Sequence, residues 1–139
     1  MLKKLNQKDI YMGRLEKGDD LLNELIRIVK ENNITTGIIK VIGAVQNAKI
    51  GYYDQKEEEY KYNKFDKGME IVSCLANVSI LEGEPFVHAH IILADEEGRC
   101  YGGHLAEGTK VFASEFYIHS LKGSELVRTF EEKTKLTLW

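Results

Sequence analysis

The chain has little cysteine, and the cysteine that it has forms no recognisable site. Its 139 residues include two cysteines, Cys74 and Cys100, and neither has a partner at the C-x-x-C spacing typical of metal ligands. Two cysteines also do not make the disulfide framework of a small secreted domain. Both lie in strand-like runs, so we expect buried, reduced thiols.

Excess positive charge and long apolar runs are also missing. The formal net charge is −3, whereas nucleic-acid-binding domains usually carry a basic excess or patch, so we expect no strong intrinsic DNA binding. No apolar run approaches the ~18 residues of a membrane span. The first residues lack the apolar core of a signal peptide. These absences predict a cytoplasmic protein with no membrane contact.

Two common catalytic motifs do not occur either. The chain contains no G-x-S-x-G nucleophile turn and no phosphate-binding loop. The sequence therefore leaves open whether the protein is an enzyme. A length of 139 residues predicts one domain over residues 1–139, long enough to bury a core without disulfides.

One segment predicts a helix, and β-type patterns fill most of the remaining chain. Asp19 and Asp20 offer an N-cap, Asn32 and Asn33 suit the end, and the helix should have about 13 to 15 residues. The apolar positions at helical spacing are Leu21, Leu22, Leu25, Ile26, Ile28 and Val29. Strands are predicted over 10–16, 36–45, 48–54, 69–80, 86–93, 99–105 and 110–119, with a last strand within 126–138. The result is an α+β fold, a mostly antiparallel sheet with one main packed helix.

Two segments are less regular. Residues 81–85 predict a turn that contains the only proline, Pro85. Residues 55–68 are polar with interleaved aromatic residues, and this pattern fits either a strand with a loop or a mobile excursion. The tyrosines from Tyr52 to Tyr62 suit an aromatic contact surface or ordinary packing.

Three of the four histidines lie in two short segments that form a predicted hairpin. His88 and His90 share one face of a strand, because strand side chains alternate with period two. The loop has Gly98 where a three-residue hairpin loop needs its left-handed residue. Such a loop pairs Asp95 with Arg99 and sets His90 opposite His104. A two-residue loop would turn His104 to the other face.

Gly102 and Gly103 bear on the same register. They allow an additional bulge, which would change the pairing, or a close approach of backbone or ligand.

Three histidines on one face suit a metal site. Neutral imidazole binds zinc and similar borderline divalent metals, and three ligands leave a fourth position open. The metal ligands are therefore His88, His90 and His104, with Glu115 and Asn77 as candidate supporting residues. Hydrogen-bonded structural histidines are the alternative, and that interpretation is preferred for His119.

Several motifs, in order, resemble a known family, the plants and prokaryotes conserved (PPC) domain, also called a PD1-like DNA-binding domain or a domain of unknown function. The resemblance spans roughly residues 10–126. The motifs are Ile42-Gly43-Ala44-Val45, Gly51-Tyr52-Tyr53-Asp54, Glu70-Ile71-Val72-Ser73, Asn77-Val78-Ser79, Gly83-Glu84-Pro85-Phe86-Val87-His88-Ala89-His90 and Gly102-Gly103-His104-Leu105.

The resemblance implies a compact sheet with a packed helix, assembled as a homotrimer, and in some members a metal at the histidine motif. In plant members an AT-hook reads DNA, but this chain has no Arg-Gly-Arg-Pro segment. Two functions follow. One is a trimeric module that binds a zinc-like metal and a small molecule at the open position. The other is a protein–protein interaction or regulatory module associated with DNA-binding proteins, without catalysis of its own.

Overall fold

One helix lies against a large antiparallel sheet in the computed structural model, which describes residues 2–139. This arrangement confirms the predicted class, a mostly antiparallel sheet with one packed helix in a single domain. In chain order the elements are β1 (Leu5–Leu15), α1 (Leu21–Glu31), β2 (Gly37–Asp54), β3 (Glu59–Phe65), β4 (Met69–Leu81), β5 (Glu84–Ala94), β6 (Cys100–Leu105), β7 (Lys110–Gly123), β8 (Thr129–Glu131) and β9 (Leu136–Leu138).

Helix α1 begins and ends at polar caps. Asp20 is the N-cap, and its carboxylate accepts a hydrogen bond from the Asn23 backbone N–H at 3.2 Å. The Asn32 side chain donates to the Ile28 carbonyl at 2.9 Å. The helix has 11 residues, fewer than predicted, because both caps lie outside it. Its fully buried positions recur every four residues and are Leu21, Leu25 and Val29.

The strand order is β1-β7-β2-β4-β5-β6, and β3 pairs with β2. Strand β6 also returns to β2, where Ile50 pairs with Leu105 and Gly51 with His104. Strands β2, β4, β5 and β6 therefore form a closed circuit of hydrogen-bonded neighbours.

Strand β2 is one continuous element of 18 residues, although two strands were predicted there. The pairing with β4 shifts between Val41 and Gly43, and Gly43 has a φ of +130°. A side chain at Gly43 would collide with the Ala113 carbonyl oxygen. Pairing with β4 and β7 continues beyond this irregularity, as far as Val45 and Asn47. The rest of β2, from Ala48, pairs with β3 and, at Ile50 and Gly51, with β6.

Three further predictions need correction. The turn after β4 is only Glu82–Gly83, both with positive φ as in a type I′ hairpin, and Pro85 lies within β5. Strand β1 begins at Leu5 rather than residue 10. The end of the chain forms two short paired strands, β8 and β9, rather than one. Residues 55–68 contain β3, so the strand-with-loop alternative was right.

The cysteines differ from each other. Cys74 is buried, and burial raises the pKa of its thiol to about 12. Cys100 is exposed, contrary to expectation, because it begins β6 at the tip of the hairpin. Within residues 2–139, no helix has the length and apolarity needed to cross a membrane.

The sheet has one covered face and one open face. The covered face packs against α1 and the core, and its buried residues include Ile39, Val41, Ala89 and Ile91. Alternate residues point the other way, and we call this the outer face. It exposes large apolar side chains, including Ile38, Ile42, Leu75 and Ile92. The H-x-H segment of β5 lies on the outer face.

Candidate metal centre

Strand β5 directs His88 and His90 to the outer face. The residues that alternate with them, Val87, Ala89 and Ile91, are at most 2% exposed. Turning the strand over would expose these three apolar side chains to solvent. Their burial therefore holds both imidazoles on the outer face of the sheet.

The β5–β6 hairpin has the predicted register. The Asp95 backbone N–H donates to the Arg99 carbonyl at 3.0 Å, and Gly98 has a φ of +75°. His90 pairs with His104, so all three histidines lie on the same face. The three-residue loop therefore decides the composition of the cluster.

The Asp95 side chain holds this loop in place. It is fully buried and accepts hydrogen bonds from the backbone N–H groups of Glu97 and Arg99 at 3.1 and 2.9 Å. It also accepts from Arg99 Nε at 2.9 Å and Lys67 Nζ at 3.2 Å. These contacts rigidify the turn between β5 and β6, and the length of this turn sets the pairing of the two strands.

Gly103 allows β6 to lie tight against β2. A Cβ atom at this position would lie 2.5 Å from the Gly51 carbonyl oxygen. The pairing from His90–His104 to Ala94–Cys100 runs without a shift. Of the two alternatives for the glycine pair, close approach is therefore right and an additional bulge is not present.

The three imidazoles converge on one point. Their ring centroids are 5.1 Å apart for His88 and His90, 5.0 Å for His88 and His104, and 5.7 Å for His90 and His104. One ligand nitrogen from each ring lies within 4.8 Å of the other two. Zinc–nitrogen bonds near ~2.1 Å make such a triangle suitable for a single ion.

His104 has a buried polar atom without a partner. Its Nδ1 is inaccessible and makes no hydrogen bond within residues 2–139. Buried polar atoms are rarely left unpaired, because desolvation without a partner costs free energy. A structural histidine would be hydrogen-bonded here, so this atom favours a ligand role for the cluster.

The surroundings of His88 and His104 favour the neutral form of both rings. The pKa of His88 is lowered to about 4 by burial and then by electrostatic interactions with His104, Arg128 and His90, which disfavour a charged ring. Burial, followed by His90 and Arg128, also lowers the pKa of His104. A neutral ring has a free lone pair, which is the form that binds metal.

Asn77 lies beside the cluster, as the sequence suggested, and it brings a residue that the sequence analysis missed. It pairs with His88 across β4 and β5, and its Oδ1 accepts a hydrogen bond from Arg128 Nη2 at 3.1 Å. Arg128 is 7% exposed. No periodic pattern marks Arg128 in the sequence, because it lies between irregular segments just before β8.

Tyr60 was likewise not assigned to the site. Its ring centroid lies 5.1 Å from that of His104, and it stacks with Tyr62. The hairpin of β2 and β3 thus places an aromatic wall beside the histidines. Tyr52 points away and is 62% exposed.

Glu115 lies elsewhere on the sheet. It is exposed and pairs with Arg14 and Ile42, and it lines a separate cavity of about 450 Å³. One chain therefore does not bring Glu115 to the histidines. His119 also lies outside the cluster, opposite Ile38.

Two cavities flank the cluster. One of about 440 Å³ is bounded by Ile38, Leu75 and Asn77 together with His88 and His90. The other, also about 440 Å³, includes His88, His104 and Arg128. In a single chain the cluster is thus accessible to a small molecule from two sides.

A β-rich domain with a three-histidine cluster beside open cavities defines a candidate metal-binding protein. Residues 2–122 match the Plants and Prokaryotes Conserved (PCC) domain, and the chain belongs to this family, as the motifs suggested.

Two solved structures are similar over nearly their whole length. A metal-containing protein from Archaeoglobus fulgidus is 37% identical, with a TM-score of 0.95, and the match covers 100% of this chain and 98% of that one. A plant- and prokaryote-conserved protein from Pyrococcus horikoshii is 38% identical, with a TM-score of 0.94 and coverage of 100% and 96%.

The bifunctional protein GlmU from Synechococcus sp. (strain JA-3-3Ab) is 29% identical over 106 residues. The match covers 76% of this chain but only 16% of that much longer protein.

Proposed function

We propose that this chain is a homotrimeric, cytoplasmic PPC-domain protein that binds one zinc-like divalent ion through His88, His90 and His104. The fourth position stays open for water or a small ligand. The observation that carries the proposal is the triangle of ligand nitrogens within 4.8 Å.

The residues present fit such an ion in chemistry as well as in placement. All three donors are imidazoles, which zinc and its neighbours in the first transition row accept. The Nδ1 atom of His104 is buried and has no hydrogen-bond partner. An ion with three protein ligands and an open position acts as a Lewis acid toward whatever occupies that position. The metal-containing relative from Archaeoglobus fulgidus, similar over the whole chain, supports the same conclusion.

The outer face supports the assembly part of the proposal. Ile38, Ile42 and Leu75 are 41%, 46% and 56% exposed in a single chain. Large apolar side chains grouped on one sheet face mark an interaction surface. A closed ring of identical chains would cover these residues without leaving an open end.

The direct test is elemental analysis of untagged protein. We expect one zinc-like ion per chain in the wild-type protein. The His88→Ala variant should lose most of its metal, because only two of the three imidazole ligands remain. His119→Ala is the matched control, since His119 is the one histidine outside the cluster, and it should keep its metal. Melting curves and circular dichroism check that each variant folds.

The alternative is an interaction module without a metal, favoured by the same exposed outer face. Metal-free wild-type protein that still assembles, with no change in His88→Ala, would support that alternative. Stoichiometric metal that is lost equally in His119→Ala would also contradict the proposed site.

A further inference from the structure

Arg128 is a buried cation without an acidic partner. It is 7% exposed, yet within residues 2–139 no carboxylate lies within 4.0 Å of its guanidinium. Several exposed lysines and arginines, by contrast, do form ion pairs with carboxylates. Its guanidinium lies over the Phe86 ring, 4.9 Å from the centroid. Buried charges are normally paired, so an unpaired arginine in this position indicates that a counter-ion is missing.

The hydrogen bonds of Arg128 leave part of its guanidinium unused. Nε donates to Ser79 Oγ at 2.7 Å, Nη1 to the Thr137 carbonyl at 2.9 Å and Nη2 to Asn77 Oδ1 at 3.1 Å. A guanidinium has five N–H donors. Two therefore remain, one on each terminal nitrogen, while the other three fix the orientation of the group.

Arg128 lines the same cavity of about 440 Å³ as His88 and His104. The cavity also has apolar and aromatic walls, which include Tyr60, Phe86 and Leu138. Glu58 and Glu59 lie at its exposed rim and do not reach Arg128. A ligand in this space would meet a buried positive charge, an apolar wall and the proposed metal.

We propose that this cavity binds a small organic carboxylate, whose carboxyl group pairs with Arg128 while the molecule lies beside the open metal position. The position of the ligand beside the metal rests on the proposed function, whereas its pairing with Arg128 does not. A carboxylate is favoured over a phosphate, because there is one buried cation, its planar fork suits two carboxylate oxygens, and the walls are apolar.

The test measures binding of acetate and benzoate by calorimetry, with the neutral acetamide and benzamide as matched probes. Wild-type protein, Arg128→Met and the control Arg27→Met are compared, each with its zinc content determined. Arg27 is an arginine on the exposed face of α1, 53% exposed. We expect benzoate to bind wild type at least tenfold more tightly than Arg128→Met, equivalent to about 1.4 kcal/mol, and Arg27→Met to behave as wild type.

The outcomes separate this proposal from the metal proposal. Zinc retained in Arg128→Met with benzoate binding lost supports an Arg128 carboxylate site. Equal binding of benzoate and benzamide to wild type, no binding of either carboxylate, or tighter binding of inorganic phosphate overturns it. If wild type holds no metal, the metal proposal fails, and Arg128-dependent benzoate binding to that metal-free protein still decides the carboxylate site. If Arg128→Met does not fold, the comparison of benzoate with benzamide on wild type freed of metal by a chelator decides, because no ion is then present to bind the carboxylate.

Discussion

His88 is half-buried in a positively charged environment, and this has a consequence for stability. Its pKa in the folded chain is lowered from 6.5 to about 4. Below pH 6.5 the unfolded chain therefore takes up a proton at this position that the folded chain does not. The contribution of neutral His88 to stability is complete above pH 6.5 and is lost as the pH falls toward 4.

We predict that the melting temperature of metal-free protein falls between pH 6.5 and 4, and that His88→Gln reduces this slope by removing one of the two groups whose pKa is lowered, the other being His104. Calorimetric scans across that range measure the slope. A His88 ring that titrates near 6.5 by NMR in the folded, metal-free protein would contradict the prediction.

At the residue scale the sequence predicts the three histidines well and their neighbours poorly. His88 and His90 point to the same face because side chains alternate along a strand, and the position of His104 opposite His90 follows from Gly98 in the loop. Arg128 reaches the site from about forty positions beyond His88, through three hydrogen bonds that no local pattern encodes. Tyr60 depends on the pairing of β3 with β2, and Glu115 lies too far across the sheet to join the cluster within one chain.

At the element scale, the contact between β2 and β6 holds the third histidine in position. Gly103 lies against the Gly51 carbonyl, with room for no Cβ atom. We predict that Gly103→Ala moves β6, lowers stability by about 1 to 3 kcal/mol through overpacking, and weakens metal binding because His104 moves with the strand. Denaturant titration and metal titration measure the two effects.

Gly68→Ala is the matched control for that prediction. A Cβ at Gly68 would meet nothing closer than the Val45 carbonyl oxygen at 3.7 Å, so both measurements should remain near wild type. Unchanged metal affinity in Gly103→Ala would show that the position of His104 does not depend on the contact with β2.

The elements were predicted best where the apolar pattern is regular. The helix and the histidine hairpin are of this kind, since caps, periodicity and loop chemistry all agree. The unity of β2 was missed because the prediction ended one strand at Val45 and began the next at Ala48, whereas Gln46 and Asn47 between them continue the same strand. Pro85 suggested a turn, but the turn needed only Glu82 and Gly83 with positive φ.

At the scale of the whole molecule, the outer face is the main unexplained surface of a single chain. We predict a trimer with a mass of about 48 kDa, three times that of the 15.9 kDa chain, by light scattering. Leu75→Glu should dissociate it, because a charge on this face opposes burial. Leu2→Glu, at a position 96% exposed, should not. A stable wild-type monomer at micromolar concentration would exclude the trimer.

The charge of the whole chain leads to a prediction about DNA. With a net charge of −3 and no AT-hook, we expect the isolated protein to show no specific duplex binding at a Kd of ~10⁻⁸ M or tighter. Fluorescence anisotropy with duplex DNA across a range of salt concentrations measures this. A salt-dependent, sequence-selective signal at nanomolar protein would contradict it.

The circuit of β2, β4, β5 and β6 means that the histidines lie on strands with neighbours on both sides. Within the seven-stranded sheet, the strands with a single partner are β1 and β3, so fraying and solvent exchange of backbone amides in that sheet should begin there and reach β5 and β6 last. The three imidazoles are thus separated only when the domain itself opens. The three histidines therefore stay together for as long as the domain stays folded, and the site should be lost at the rate at which the domain unfolds.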